Sequence, residues 1–153
     1  MLPIALTKNE RYDRLTQRII QQVCQPNSHC IDIGAHEGKI LAMMLSAAPE
    51  GRHHAFEPIP ALFEQLVRDF GARAMIHPQA LSNQSGHTHF NLVLSNPALS
   101  GIKKRPYWKK EIDQPIQVAT AVLDQLIDPN EQIDLIKMDV EGAELWVLEG
   151  AIN

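Results

Sequence analysis

The chain has only two cysteines, Cys24 and Cys30, in 153 residues. Cys30 opens an apolar run and Cys24 closes a helical pattern, so both are expected as reduced, buried thiols rather than as staples. There is no basic excess: the formal charge is −4, which argues against a dedicated nucleic-acid binder. No window approaches the ~20 consecutive apolar residues of a membrane span. The N-terminus, Met1-Leu-Pro-Ile-Ala-Leu-Thr-Lys8, has too short an apolar stretch and no basic leader for a signal peptide. A soluble, cytoplasmic protein is therefore expected. Internal repeats and low-complexity tracts are also missing. What remains is ordinary globular composition, 44% apolar and 21% charged, over a length that suits one domain spanning residues 1–153.

The apolar pattern alternates between strand and helix. Thr7-Lys-Asn-Glu10 reads as a capping box, and Tyr12, Leu15, Ile19 and Val23 share one face of the helix behind it. Ile31 to Ala35 is a short buried strand, and Ile40 to Ala48 a helix that Pro49-Glu-Gly51 ends. His53 to Glu57 is the next strand. Pro58 and Pro60 open a helix with Leu62, Phe63, Leu66, Val67 and Phe70 inward and Gly71 in the stop position. Ala74 to His77 is a third strand, and His87 to Leu94 alternates like a half-exposed one. Residues 95–115 read as a long polar loop. Ile116 to Thr120 is a strand, Val122 to Ile127 a short helix, Ile133 to Met138 a buried strand and 141–151 the last helix. Such repetition with short turns implies an α/β fold with a doubly wound, mostly parallel, Rossmann-like sheet.

Two strand-to-helix turns carry the chemistry, and ligands of open α/β sheets bind at that edge. The first is Asp32-Ile-Gly34-Ala35-His36-Glu-Gly38. It lacks the G-x-G-x-x-G spacing of a dinucleotide site. A carboxylate just before the first glycine would also repel a pyrophosphate, which needs backbone N–H groups and a positive helix end. The amine on the methionine half of S-adenosylmethionine would instead be welcomed by Asp32, and Gly34 and Gly38 would let the backbone approach it. Glu57, followed by Pro58, ends the second strand, where a carboxylate can accept bonds from both ribose hydroxyls. Gln79-Ala80-Leu81 follows the third strand, where the amide could hold the adenine amino group while Leu81 lies against the ring. His36 lies in the cofactor turn. Asp32 as a solvated turn residue and Glu57 as a helix-start acid are the bland alternatives.

The second turn, Asp139-Val-Glu141-Gly-Ala-Glu144, sets three carboxylates at a strand tip. Methyl transfer to a hydroxyl needs alignment and removal of a proton, and Asp139 or Glu141 is the candidate base. Mg²⁺ binding by these acids, or mere complementarity to the helix dipole, are the other readings.

The chain resembles the FkbM-type S-adenosylmethionine-dependent methyltransferases. The resemblance rests on Ile31-Asp-Ile-Gly-Ala-His-Glu-Gly38, Ala55-Phe-Glu-Pro58, Val118-Ala-Thr-Ala-Val-Leu-Asp124, Ile136-Lys-Met-Asp-Val-Glu-Gly-Ala-Glu144 and Leu148-Glu-Gly-Ala151. Asn96-Pro-Ala-Leu-Ser-Gly101 is a weaker fifth segment, and His36 stands where the family often has asparagine. The resemblance implies a class I methyltransferase fold, S-adenosylmethionine as cofactor and O-methylation of a sugar or small hydroxylated metabolite. It also implies a further strand and a hairpin after the last helix, so the chain is expected to be truncated at its C-terminus and Ile133 to Met138 to lie at a sheet edge. A nicotinamide-dependent oxidoreductase and a non-catalytic cofactor-binding domain are the rival functions.

Lys103-Lys-Arg-Pro-Tyr-Trp-Lys-Lys110 reads as a solvated loop, with a lid over a sugar-like acceptor, in which Tyr107 or Trp108 stacks, as the alternative. His53 and His54 lack further ligands at metal spacing and are expected to be structural, and no metal site is assigned.

Overall fold

The computed structural model describes residues 8–104 and 111–152. The capping box at Thr7, and Tyr107 and Trp108 of the basic segment, lie outside the described residues. Four parallel strands form the main sheet in the order β3-β2-β1-β7: β1 Cys30–Ile33, β2 His53–Phe56, β3 Met75–His77 and β7 Leu135–Met138. Helices α2 (Lys39–Ala47) and α3 (Pro60–Phe70) return the chain between the first three. All residues of β1 and β2 are buried, which is why they read as continuous apolar runs rather than as alternating ones.

The sheet has a core on each face. Toward α2 and α3, Ala55 packs with Leu41, Leu45, Leu66 and Ala35. Toward the other face, Ile31, Ile33 and Phe56 pack with Leu81, Leu123 and Val147, the last from α4 (Glu144–Glu149). The N-terminal helix α1, Lys8–Val23, lies against α2. It does so on a different face from the one the apolar spacing suggests. Ile20 is buried at 1% exposure, whereas Tyr12, Leu15, Ile19 and Val23 are exposed. The side that carries Ile20 meets Met44 and Ala48 of the α2 segment, with Cys24 and Cys30 beside them. Both thiols are free and buried, 3.7 Å apart, and burial pushes Cys30 up to about 12.

The mostly parallel sheet is as expected from the sequence, and a further sheet accompanies it. A second, three-stranded sheet contains β4 (Ala80–Leu81), β6 (Asp113–Ala121) and β5 (Gly86–Val93) in that order, with β5 antiparallel to β6. Residues 113–115 therefore belong to a strand rather than to the loop, and Ala80–Leu81 pairs with Thr120 and Ala121. The segment expected as a helix around 122–127 is a single 3-10 turn, Leu123–Gln125. Within the 95–115 stretch, Pro97–Leu99 forms another such turn, and Gly101 bridges to Asn91. β7 pairs with β1 and meets no other strand among the described residues. Ile136 is accordingly exposed, so this strand is less buried than its composition suggests.

His53 and His54 are structural. His53 Nε2 lies 2.7 Å from the Ala48 carbonyl oxygen. His54 sits between two partners, with Nε2 3.3 Å from Glu131 Oε1 and Nδ1 3.1 Å from His77 Nε2. With both rings neutral, His54 donates to the carboxylate and accepts from His77. His77 also stacks on Phe56, with ring centroids 4.4 Å apart. Burial, reinforced by His54, depresses the His77 pKa from 6.5 to about 4. Between those two values the unfolded chain binds a proton that the folded chain does not, so stability is full above about pH 6.5 and declines as pH falls toward 4. The urea midpoint is expected to drop between pH 7 and pH 5, and His77→Gln should flatten that dependence. An unchanged slope in the variant would remove His77 from the acid response.

Candidate functional site

A cleft of about 650 Å³ opens at the carboxyl ends of β1, β2, β3 and β7, inside the usual size range for small-molecule sites. The strand ends stay tied together beyond the regular ladder. The N–H groups of Gly34 and Ala35 both reach the Phe56 carbonyl at 3.0 Å, Glu57 N–H reaches that of His77 at 3.0 Å, and Asp139 N–H that of Ile33 at 3.0 Å. The turns are thereby held in one rigid rim.

Glu57 is the keystone of that rim. It is 4% exposed, and its two oxygens accept from different turns: His36 N–H donates to Oε2 at 2.8 Å and Ile59 N–H to Oε1 at 2.9 Å. Burial raises its pKa, and the two N–H donors oppose that rise. Each carboxylate oxygen has a second lone-pair site, so Glu57, which lines the cleft, retains accepting capacity toward a ligand. Gln79 lines the same wall, and its Oε1 is buried without a hydrogen-bond partner. An orphaned buried acceptor costs about 1–3 kcal/mol, a cost that a donor in the cleft would remove. Ala35, Pro58, Ala80 and Leu81 also line the cleft, although Leu81 belongs mainly to the core behind it.

Asp32 is placed differently from its expected role. Its side chain has no exposure, and Lys137 Nζ lies 3.0 Å from Oδ1 as an ion pair. The same ammonium donates to the Gly34 carbonyl oxygen at 2.9 Å. Asp32 stands opposite Lys137 in the β1–β7 register, so its carboxylate turns into the layer behind the turn and not toward a ligand. Burial raises its pKa, and the charge of Lys137 pulls the other way. Gly38 also lies off the cleft. Its φ is 80°, and a Cβ there would meet Phe70 at 2.5 Å and Leu66 at 2.7 Å, so this glycine serves packing against α3.

Gly34 does line the cleft, with φ 73°, and a Cβ on it would come within 2.0 Å of the Asp139 carbonyl oxygen. The turns after β1 and β7 therefore touch through a bare Cα. Gly34→Ala is expected to cost about 2–6 kcal/mol, the sum of a left-handed non-glycine residue and an overpacked contact. A urea midpoint equal to that of the parent would contradict this contact.

The opposite wall comes from the β7 turn and from residues 96–102. Asp139 is exposed and Glu141 half-buried, and both line the cleft. His36, at φ 51°, and Glu141, at φ 53°, are the non-glycine residues with positive φ among the described ones. Strain of this kind clusters at ligand sites. Burial lowers the His36 pKa, which leaves a neutral ring at the cleft. Glu144 is not in the lining; its Oε1 accepts from Gly142 N–H at 3.1 Å and braces the turn. Among the described residues no group of three His, Cys, Asp or Glu side chains could hold a metal ion.

Lining residues that escaped the sequence reading include Lys137 and the helix face with Tyr12, Asp13 and Thr16, whereas a third group, Asn96 to Ser100 with Ile102 beside it, falls on the weaker fifth segment of the family resemblance. A lysine inside an otherwise apolar strand was a signal for the first. The third packs onto the β7 turn, where a Cβ on Gly101 would lie 3.2 Å from that of Glu141. Lys103 follows it, with its ammonium 4.1 Å from the Trp146 ring centroid.

An open α/β domain whose cleft lies at the carboxyl ends of a parallel sheet defines a small-molecule-binding class. The chain belongs to the Methyltransferase FkbM domain family, which it matches over residues 32–153. It is 28% identical over 152 residues to the 2-O-methyltransferase NoeI of Sinorhizobium fredii, covering 90% of this chain and 63% of that one. To the methyltransferase sdnD of Sordaria araneosa it is 27% identical over 158 residues, covering 81% and 60%. The chain thus spans about six tenths of the length of these curated relatives. Among solved structures, TYW2 of P. horikoshii in complex with MeSAdo is similar at 15% identity and a TM-score of 0.39, over 53% of this chain and 33% of that one.

Proposed function

We propose that the chain acts as an S-adenosylmethionine-dependent O-methyltransferase on a sugar or another small hydroxylated acceptor. The observation that carries this reading is the pairing of two acceptors on successive strand ends, Glu57 with spare lone pairs and Gln79 with an orphaned oxygen. They suit the two ribose hydroxyls and the adenine amino group, while the carboxylates of Asp139 and Glu141 on the cleft wall disfavour a pyrophosphate. S-adenosylmethionine, when bound, supplies an electrophilic methyl group on a positively charged sulfur.

The chain's own residues do the rest. Gly34 lets the turns after β1 and β7 close against one another, and Glu57 locks the turn after β1 to the turn after β2. Asp139 and Glu141 line the cleft, and with cofactor and acceptor bound one of them would take the proton of the acceptor hydroxyl. Acceptor alignment supplies much of the rate in such a displacement, and the 96–102 wall is the surface available for it. Incubation with methyl-labelled S-adenosylmethionine and a panel of mono- and oligosaccharides tests this directly. Label in an acid-stable sugar ether supports the reading. Label transferred to nitrogen or carbon acceptors and to none of the sugars would overturn the O-methylation assignment.

A further inference from the structure

Two cationic side chains, Lys39 and Lys137, stand among the lining residues, in a cleft that also carries Asp13, Glu37, Glu57, Asp139 and Glu141. Such a wall repels anions nearly everywhere. Lys39 is at the mouth, 71% exposed and 3.7 Å from Glu37, so it offers a screened, mobile charge. Lys137 is the opposite case. Its side chain is 22% exposed, and its ammonium is fixed from two sides, by Asp32 Oδ1 at 3.0 Å and by the Gly34 carbonyl at 2.9 Å. An ammonium has three N–H donors. One is given to the Gly34 carbonyl and the ion pair with Asp32 holds the ammonium from another side, so, with Lys137 in the cleft lining, donor capacity remains for a ligand lying on the Gly34 turn.

Asp32 acquires a purpose in this arrangement. A fully buried carboxylate behind the lysine cannot touch a ligand, but it pins the ammonium and sets the direction of the remaining donor. Preorganised donors lose little freedom when a ligand arrives, and that is where their strength comes from. The cofactor assigned above has one anionic group, the carboxylate of its amino-acid end, and that end must lie somewhere on the rim.

We propose that Lys137, oriented by Asp32, is the carboxylate-binding residue of the cleft and sets its preference for an amino-acid-bearing adenosyl ligand. The inference rests on the S-adenosylmethionine reading of the site, and it reverses the simplest expectation for Asp32. The aspartate acts on the ligand through the lysine, as a positioning residue, and the charge presented to the ligand is positive.

Calorimetry with S-adenosylhomocysteine and with its decarboxylated analogue tests this without any variant. The parent chain is expected to prefer the carboxylated ligand by about tenfold or more, the size of one charge-assisted hydrogen bond. In Lys137→Met combined with Asp32→Asn, which removes both charges and leaves neither buried alone, the preference should fall below about threefold. Lys39→Met should keep it. Equal binding of the two ligands by the parent chain overturns the role of Lys137 while leaving the cofactor reading intact. A preference that survives in the double variant overturns it as well. Failure of the parent chain to bind either ligand would overturn the cofactor reading, and this inference with it. Since the parent comparison stands alone, a misfolded variant does not shelter the proposal.

Discussion

Glu57→Ala is expected to weaken S-adenosylhomocysteine binding by a hundredfold or more and to lower stability at the same time. The binding loss follows from two charge-assisted bonds to a ribose, each about 1.5–3 kcal/mol. The stability loss follows from the His36 and Ile59 N–H groups, which now end on the Glu57 carboxylate and would be left without an acceptor. At about 1–3 kcal/mol for each of the two orphaned groups, a drop of about 2–6 kcal/mol is expected. Glu57→Gln separates the two effects, because its single carbonyl oxygen can serve one turn and not both. It should lose roughly half of the stability decrement, measurable as an intermediate urea midpoint, and most of the ligand affinity. A Glu57→Ala chain as stable as the parent would mean that the carboxylate does not tie the turns together.

Asp139→Asn should leave S-adenosylhomocysteine affinity within about threefold and reduce the methyl-transfer rate by about 10²–10⁴, the range for losing a positioned general base. Asp139 is exposed at the cleft, and its backbone N–H, not its side chain, ties it to β1, so the amide is tolerated structurally. Glu141→Gln provides the contrast. Its residue holds a left-handed conformation against the 96–102 wall, and if Glu141 is the base, the rate loss moves to this variant. Single-turnover rates with labelled cofactor distinguish the two. A rate unchanged in both variants would remove proton abstraction by the β7 turn from the mechanism.

Much of this site was legible because its parts are local. A strand, a glycine turn and a helix within a dozen residues are one continuous signal, so the turns after β1, β2, β3 and β7 could all be read from their own segments. Asp32 and Glu57 looked alike on that basis, each an acid at the end of an apolar run. What separates them is not local. Asp32 faces Lys137 across a strand pair formed by residues more than a hundred positions apart, and short-range periodicity says nothing about which strand becomes whose neighbour. The same blindness hid the second sheet: the alternation of His87 to Leu94 marks a half-exposed strand, yet only the pairing of Phe90 with Ile116 makes it antiparallel to β6. Along α1 the apolar residues Tyr12, Leu15, Ile19 and Val23 formed the more obvious stripe, while packing against α2 selected Ile20. Glu144 counts among the three carboxylates of the β7 turn by sequence, and spacing cannot show that its side chain folds back onto Gly142 N–H.

The central claim is that the cleft is built for an adenosyl ligand with an amino-acid end and without phosphates. Titration calorimetry of the 153-residue chain against S-adenosylhomocysteine and, separately, against NAD⁺ measures it most directly. Saturable one-to-one binding of S-adenosylhomocysteine, with no heat from NAD⁺ at the same concentrations, is the predicted result. Binding of NAD⁺ without S-adenosylhomocysteine would contradict the assignment of Glu57, Gln79 and Lys137 together.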